Sequence, residues 1–546
     1  MRMSALGFLR NGVLALVLFA SSAWMIATVP PLWRDVDAYN QLTRSPLLAT
    51  YWGHAPAYCC AAKIPLFLGE QWERWRGMPA PKTEIGSTPL TDSGVGLLIL
   101  AQHLALFGAA FYFVIALSSN PWIRFVLALA WASNALFYTF AHCVGSETLS
   151  VILVILLVGK GLRLIRSRNE PRWIDWYIFA VLLWLCLLSR HINSWLIVLL
   201  PLAFLFSAAQ NFAASGAEPR NSWRWLTARN FRPAVTALAI GLACLTVANF
   251  ATQALARKTK FHIHSRIGYT FLWRLHFLKP LSPPARNALL QRVSARTHSL
   301  EARQLMTLLG QMHAEGVDPE AGPITLRAIP LLFPNETVVP WEKLDLALNQ
   351  MAYAFLLPPT PEHLQATRTD FVSALNMPVA SISSFLIETT AYYFANKDEM
   401  PACAELVTFR GASAESIRQI PIQHGYFQLW KGLSYGKALV VWLASLLALL
   451  VVARWRNASV APMIAFGIAL TAVGLPMVAS ACLLTDFLPR YGLPMWQLLL
   501  PSLFIFVGET ADLCVMARTS RGSRTIESGA TRDSKQSAGQ RPKKLG

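Results

Sequence analysis

The chain has 546 residues, 54% of them hydrophobic and only 14% charged. A water-soluble domain carries nearer a quarter charged residues, and here the apolar residues come in runs of about the 20 residues that a bilayer core requires. The net charge of +19 does not point to nucleic acid, because the basic residues cluster at the ends of apolar runs, as in loops facing the cytoplasm and its anionic lipids.

Taken in order, Arg2 and Arg10 precede an apolar run from Val13 to Val29. Small residues at Ala20–Ala23 would suit a signal-peptidase site, but the run continues through Trp24, Met25 and Ile26, which favours an uncleaved anchor. A first external loop, 31–92, contains two aromatic and apolar stretches, 47–52 and 64–68, that are too short to span and fit helices lying at the interface. Further spans are expected at 95–117, 123–140, 149–162, 173–188, 195–209 and 234–255, then at 433–453, 460–483 and 491–513. Between 256 and 431 the pattern is mixed polar and apolar; Leu344, Leu348, Met351 and Phe355 share a helical face, and Ser282-Pro283-Pro284 marks a helix start.

The expected fold is therefore an all-α polytopic membrane protein of about ten transmembrane helices. An N-terminal membrane module (1–255) is followed by a mostly helical external domain (256–431) between spans seven and eight. A C-terminal membrane module (432–515) and a basic, disordered cytoplasmic tail (516–546) complete it. With the N-terminus inside, the basic clusters at 163–172, 220–232, 454–456 and 518–544 all face the cytoplasm. The same topology puts the loops at 35–37, 147, 190 and 486–491 on the external face, with the large domain.

Those external loops hold the candidate chemistry. In Trp33-Arg34-Asp35-Val36-Asp37-Ala38-Tyr39 two carboxylates follow the first span. A carboxylate there can take a proton from a hydroxyl or hold a divalent cation. Asp35 and Asp37 would share a face on an extended segment and diverge on a helix. Glu147 opens the fourth span, where the helix dipole favours an acid; the alternative is a second acid facing Asp35. His142 lies nearby as an interfacial polar residue. Arg190, beside His191 in a tight turn, either snorkels to head groups or binds phosphate. Arg490 and Tyr491 open the last span; the arginine suits a phosphate leaving group, or pairs with Asp486 to cap the helix start. His262 and His264 alternate without an evident third metal ligand. Of 8 cysteines, Cys59, Cys60, Cys143 and Cys403 fall outside, where disulfides are chemically feasible. Asn335-Glu336-Thr337 is an external sequon.

This pattern resembles the GT-C superfamily of membrane glycosyltransferases, and within it the protein mannosyltransferases and lipid A aminoarabinose transferases. The resemblance rests on Asp35 four residues before Tyr39, Ser146-Glu147-Thr148-Leu149, Leu187-Leu188-Ser189-Arg190 with Pro201, and Arg490-Tyr491-Gly492-Leu493-Pro494. It covers roughly 1–210 and 480–510 and departs at Val36, where the family often has a second acid. It implies an inverting transfer from a polyprenyl-phosphate-linked sugar to a lipid, glycan or protein acceptor at the external face of a bacterial inner membrane. Asp35, Asp37 and Glu147 would be catalytic, with Tyr39, Arg190, Arg490 and Tyr491 binding substrate, Lys63 a further phosphate contact and a divalent cation a candidate cofactor. The competing expectations are a transporter or lipid flippase, whose charges are usually buried mid-membrane, and a non-enzymatic envelope assembly protein.

Overall fold

A computed structural model of the chain describes residues 5–43, 54–78, 88–167, 171–214, 228–257, 265, 267–317, 321–336, 340–396, 406, 413–419 and 430–537. The stretch 47–52, His262, His264, Cys403 and Thr337 of the sequon lie outside the described residues, as does the side chain of Asp37.

The chain is helical almost throughout. The first half comprises α1 (Ala5–Thr28), β1 (Leu32–Trp33), α2 (Val36–Thr43), α3 (Pro56–Trp75), α4 (Asp92–Leu117), α5 (Pro121–Ala132), α6 (Ala135–Ala141), β2 (Cys143–Val144), α7 (Ser146–Arg166) and α8 (Trp173–Ser189). A 3-10 segment, His191–Val198, then runs into α9 (Leu199–Ala214), followed by α10 (Ala228–Ala256). The inserted region holds α11 (Ile267–Arg274), α12 (Pro283–Ser294), α13 (Leu300–Ala314), α14 (Ala321–Leu332), α15 (Trp341–Leu356), α16 (Pro361–Asn376), α17 (Val379–Ala395) and α18 (Ala414–Arg418). The chain closes with α19 (Tyr435–Arg456), α20 (Ala461–Leu484), a 3-10 turn (Pro489–Gly492) and α21 (Leu493–Ser537).

Eight of the described helices are long and apolar enough to cross a membrane, and the bent pair α5–α6 makes up to nine. The protein is an all-α, multi-pass membrane protein. Two of the expected spans differ from a simple crossing helix. The third is broken at Ser133–Asn134 with a 64° bend, because Asn134 turns its side chain back to accept a hydrogen bond from Leu136 N–H and starts a new helix. The fifth, α8, has 17 residues, about 25 Å at 1.5 Å per residue, which is at the short end of the lengths that cross a bilayer. At the far end, helix continues to Ser537 through the tail expected to be disordered from 516. No proline occurs between Pro501 and Pro542, so nothing removes a backbone donor and stops the ladder.

The inserted region has two parts. Leu272, Leu289, Leu305, Leu309, Leu348 and Phe355 belong to a core of their own. Ile382, Leu386 and Ala391 of α17 and Ile417 of α18 instead join the core of the spans. Successive spans alternate in direction, so the ends of α1, α6, α8 and α20 and the start of α7 meet at one end of the bundle, with α17 packed over them. At the opposite end the polar contacts are of another kind: Lys160 pairs with Asp175 at 2.5 Å, Arg166 with Glu509, and Ser118 donates to Asp512 at 2.6 Å.

Two tethers from α16 and α3 shape the site end. His363 of α16 is buried, and its Nε2 donates to Leu483 O at 2.9 Å. Burial first, and then the nearby Arg274, hold this imidazole neutral, with its pKa down at about 4. Helix α3 crosses α4 where Gly69 meets Gly94; a Cβ on Gly69 would lie 2.2 Å from the Gly94 nitrogen.

Two outcomes are expected. Gly69→Val forces backbone against backbone and should destabilise the purified protein by about 1–3 kcal/mol, read as a lowered melting temperature. For His363, the folded pKa lies below the unfolded value, so the unfolded state binds its proton first. The stability from the neutral imidazole is whole above about pH 6.5, falls as pH drops toward about 4, and changes no further below that. The melting-temperature gap between wild type and His363→Gln should narrow across that interval.

Candidate functional site

The site begins with a two-residue parallel pairing. Leu32 and Trp33 of β1 lie beside Cys143 and Val144 of β2, and Arg34 N–H extends the register by donating to Val144 O at 3.3 Å. This brings two loops about 110 residues apart in sequence to backbone contact. Gly145 is needed for that approach, since a Cβ there would sit 2.9 Å from Arg34 Cβ and 3.1 Å from Glu147 Oε2. Tyr58 of α3 supports the same peptide: its hydroxyl accepts from Gly145 N–H at 2.9 Å and donates to Gln102 at 3.2 Å. Burial pushes this phenol up, so it stays protonated and able to donate.

Five charged side chains follow from that pairing. Arg34 is 7% exposed and lies between two acids. Its Nε donates to Asp35 Oδ1 at 2.9 Å and its Nη2 lies 2.9 Å from the same oxygen, and its Nη1 donates to Ser146 Oγ at 2.9 Å and to Glu147 Oε2 at 3.4 Å. Glu147 is 2% exposed and pairs through Oε1 with Arg190 at 3.5 Å. Asp35 Oδ2 pairs with Arg490. Chain order along the network is thus Arg190, Glu147, Arg34, Asp35, Arg490: three guanidiniums and two carboxylates.

Each member is fixed by its own element. Asp35 precedes α2 and its Oδ1 also accepts from Ala38 N–H at 2.9 Å, so it caps that helix. Glu147 lies in the first turn of α7, where free N–H groups favour an anion. Arg190 ends α8 in an extended conformation. Arg490 lies in the 3-10 turn before α21, 5.4 Å from the ring of Tyr491 and 5.8 Å from that of Phe385. Its Nε is buried without a hydrogen bond among the described residues.

The structure thus brings together four of the sequence candidates: Asp35, Glu147, Arg190 and Arg490. Tyr39 packs edge-on to Trp33 with ring centroids 6.4 Å apart, and Tyr491 packs on Arg490. Asp37 lies inside α2 while Asp35 lies before it, so the extended arrangement in which the two acids share a face does not occur. The alternative reading of Arg490, a cap formed with Asp486, does not hold. Asp486 turns to His276 and lies 4.0 Å from Arg274, while Arg490 crosses to Asp35. Lys63 is buried on α3, and burial holds its ammonium below the usual lysine value. His142 is buried within a chain that runs from Ser22 through His103 to Val29 O, rather than at an interface. Among the described residues no group of three or more His, Cys, Asp and Glu side chains is placed to hold a metal ion. Cys143, Cys186, Cys244, Cys482 and Cys514 are free thiols.

Sequence reasoning assigned no role to Arg34, the centre of the network. A signal existed: an arginine beside an acid, in a loop where the positive-inside rule disfavours basic residues. It also missed α17, whose Tyr393 hydroxyl accepts from Val36 N–H at 3.0 Å and whose Thr390 hydroxyl accepts from Trp33 N–H at 2.8 Å. Nothing in the sequence links those residues to the first loop.

The chain matches no protein-family model and no curated protein.

Removing one member of a buried charge network leaves its partners uncompensated, at about 3–5 kcal/mol. Glu147→Ala should therefore lower the melting temperature sharply, while Glu147→Gln, which still accepts hydrogen bonds, recovers part of the loss. Circular dichroism of both purified variants checks this.

Proposed function

We propose that this protein is a membrane glycosyltransferase of GT-C type that moves a sugar from a polyprenyl-phosphate carrier to an acceptor hydroxyl. The observation that carries the reading is the convergence of Asp35, Glu147, Arg190 and Arg490 in one charge network at one end of the spans. A transporter would be expected to distribute its charges along a path through the bundle; these gather at the end where the helices open into loops. The positive-inside bias puts that end outside the cytoplasm, with both termini inside, as in a bacterial inner-membrane enzyme whose donor lies in the outer leaflet.

The network suggests how the step would run. Both oxygens of Asp35 are occupied, Oδ1 by Arg34 and Ala38 N–H and Oδ2 by Arg490. A donor phosphate arriving beside Arg490 offers the guanidinium two oxygens in place of one. As Arg490 turns to the phosphate, Oδ2 is released and can take the proton of the acceptor hydroxyl. The acceptor oxygen then bonds to the anomeric carbon from the face opposite the phosphate. The bond from that carbon to the phosphate oxygen breaks, its electrons stay on the phosphate, and the configuration inverts. Arg490 and Arg190 stabilise the charge that develops there. Glu147 keeps Arg34 and Arg190 apart and in place.

The test is transfer of radiolabelled sugar from polyprenyl-phosphate donors by the purified protein in vesicles. Asp35→Asn and Arg490→Ala should each lower the rate about 10²–10⁴-fold, with Asp35→Asn keeping donor binding. Undiminished transfer by Asp35→Ala would remove the centre of the scheme. Absence of transfer from every polyprenyl-phosphate sugar would leave the assembly-protein reading in its place.

A further inference from the structure

The loop that leads into Arg490 presents that residue with a choice of partners. Asp486 lies four residues before Arg490, closer in sequence than any other carboxylate. Asp35 is 455 residues away. The short connection leaves little slack: Pro489 fixes one backbone angle, and Tyr491 N–H closes a turn on Leu488 O at 2.8 Å. On a helix an acid and an arginine at i and i+4 pair; residues 485–488 are not helical, and the inserted helices engage Asp486.

His276 Nδ1 is hydrogen-bonded to Asp486 Oδ2. Arg274, 1% exposed, pairs with Asp370 of α16, lies 3.3 Å from Thr367 Oγ1 and approaches Asp486 Oδ1 at 4.0 Å. Leu483 and Leu484, just before Asp486, pack on the core of the inserted region. On its other side Arg490 faces Phe385 of α17, and Gly492 is so close that a Cβ there would lie 3.0 Å from Met377 Cε and 3.3 Å from Ile382 Cδ1. The same inserted region therefore removes one carboxylate and walls in the arginine.

We propose that His276, with Arg274, is a positioning residue: it holds Asp486 away from Arg490 and so directs Arg490 to Asp35. In this role the inserted region sets the state of the charge network without contributing a charge to it. The proposal concerns the partner of Arg490 and holds whichever reaction the network serves, so its test needs no substrate.

The test is hydrogen exchange of the full-length protein in lipid nanodiscs, read on the backbone of residues 33–39, where Ala38 N–H is bonded to Asp35. In His276→Ala, Asp486 is free to capture Arg490, Asp35 loses a partner, and exchange at 33–39 should rise about tenfold, with α13 unchanged. Asp486→Asn removes the competitor and should leave exchange at the wild-type level. The double variant His276→Ala/Asp486→Asn should return to that level too. A contact that merely anchors the loop predicts the reverse: Asp486→Asn as damaging as His276→Ala, with no rescue in the double variant. That pattern, or unchanged exchange in His276→Ala, overturns the proposal. Should His276→Ala not fold, Asp486→Asn decides alone, raised exchange counting against the proposal and wild-type exchange for it.

Discussion

The site end of this protein depends on the burial of Arg34. A guanidinium removed from water is tolerated only when its charge and its donors are matched, and Arg34 is matched by an acid on either side. One acid, Asp35, is its own neighbour and caps α2; the other, Glu147, is the first acid of α7. Each acid then has a second guanidinium, Arg490 or Arg190. The network extends outward from Arg34 because each carboxylate has an oxygen left over after meeting it. Its members come from the ends of α1, α8 and α20 and the start of α7, so the packing of spans and the pairing of charges constrain one another.

The inserted region has a different task from the one its composition suggests. Helices α11 to α15 bury a core of their own, but α16 and α17 do not form part of a separate body. They pack on the spans, and α17 supplies hydroxyls to the first loop and a ring to Arg490. A helix that covers charged side chains keeps them from bulk water, which strengthens each pair. Asp486 illustrates the balance. Burial raises its pKa, and the hydrogen bond from His276 works against that.

Close backbone approach does much of the positioning. The β1–β2 pairing is only two residues long, yet it fixes Arg34 against Gly145 and so against Glu147. A longer side chain at position 145 would separate the two loops and with them the acids. The hydroxyl of Tyr58 satisfies the Gly145 N–H that the pairing leaves over, consistent with the rule that buried backbone donors find partners.

The sequence alone determined that the chain is a bundle of apolar helices, because a bilayer demands runs of a set length and those runs are visible one residue at a time. It also determined that Asp35, Glu147, Arg190 and Arg490 share one end, since each lies in a loop after an odd number of crossings. It did not determine who pairs with whom. Asp486 and Arg490 are neighbours in sequence, and local reasoning joins them; tertiary packing separates them by offering Asp486 to His276 and Arg490 to Asp35. The break at Asn134 and the reach of α17 to Trp33 were likewise decided by the fold. Each depends on contacts between distant segments or on a single capping side chain, and neither leaves a periodic trace in the sequence.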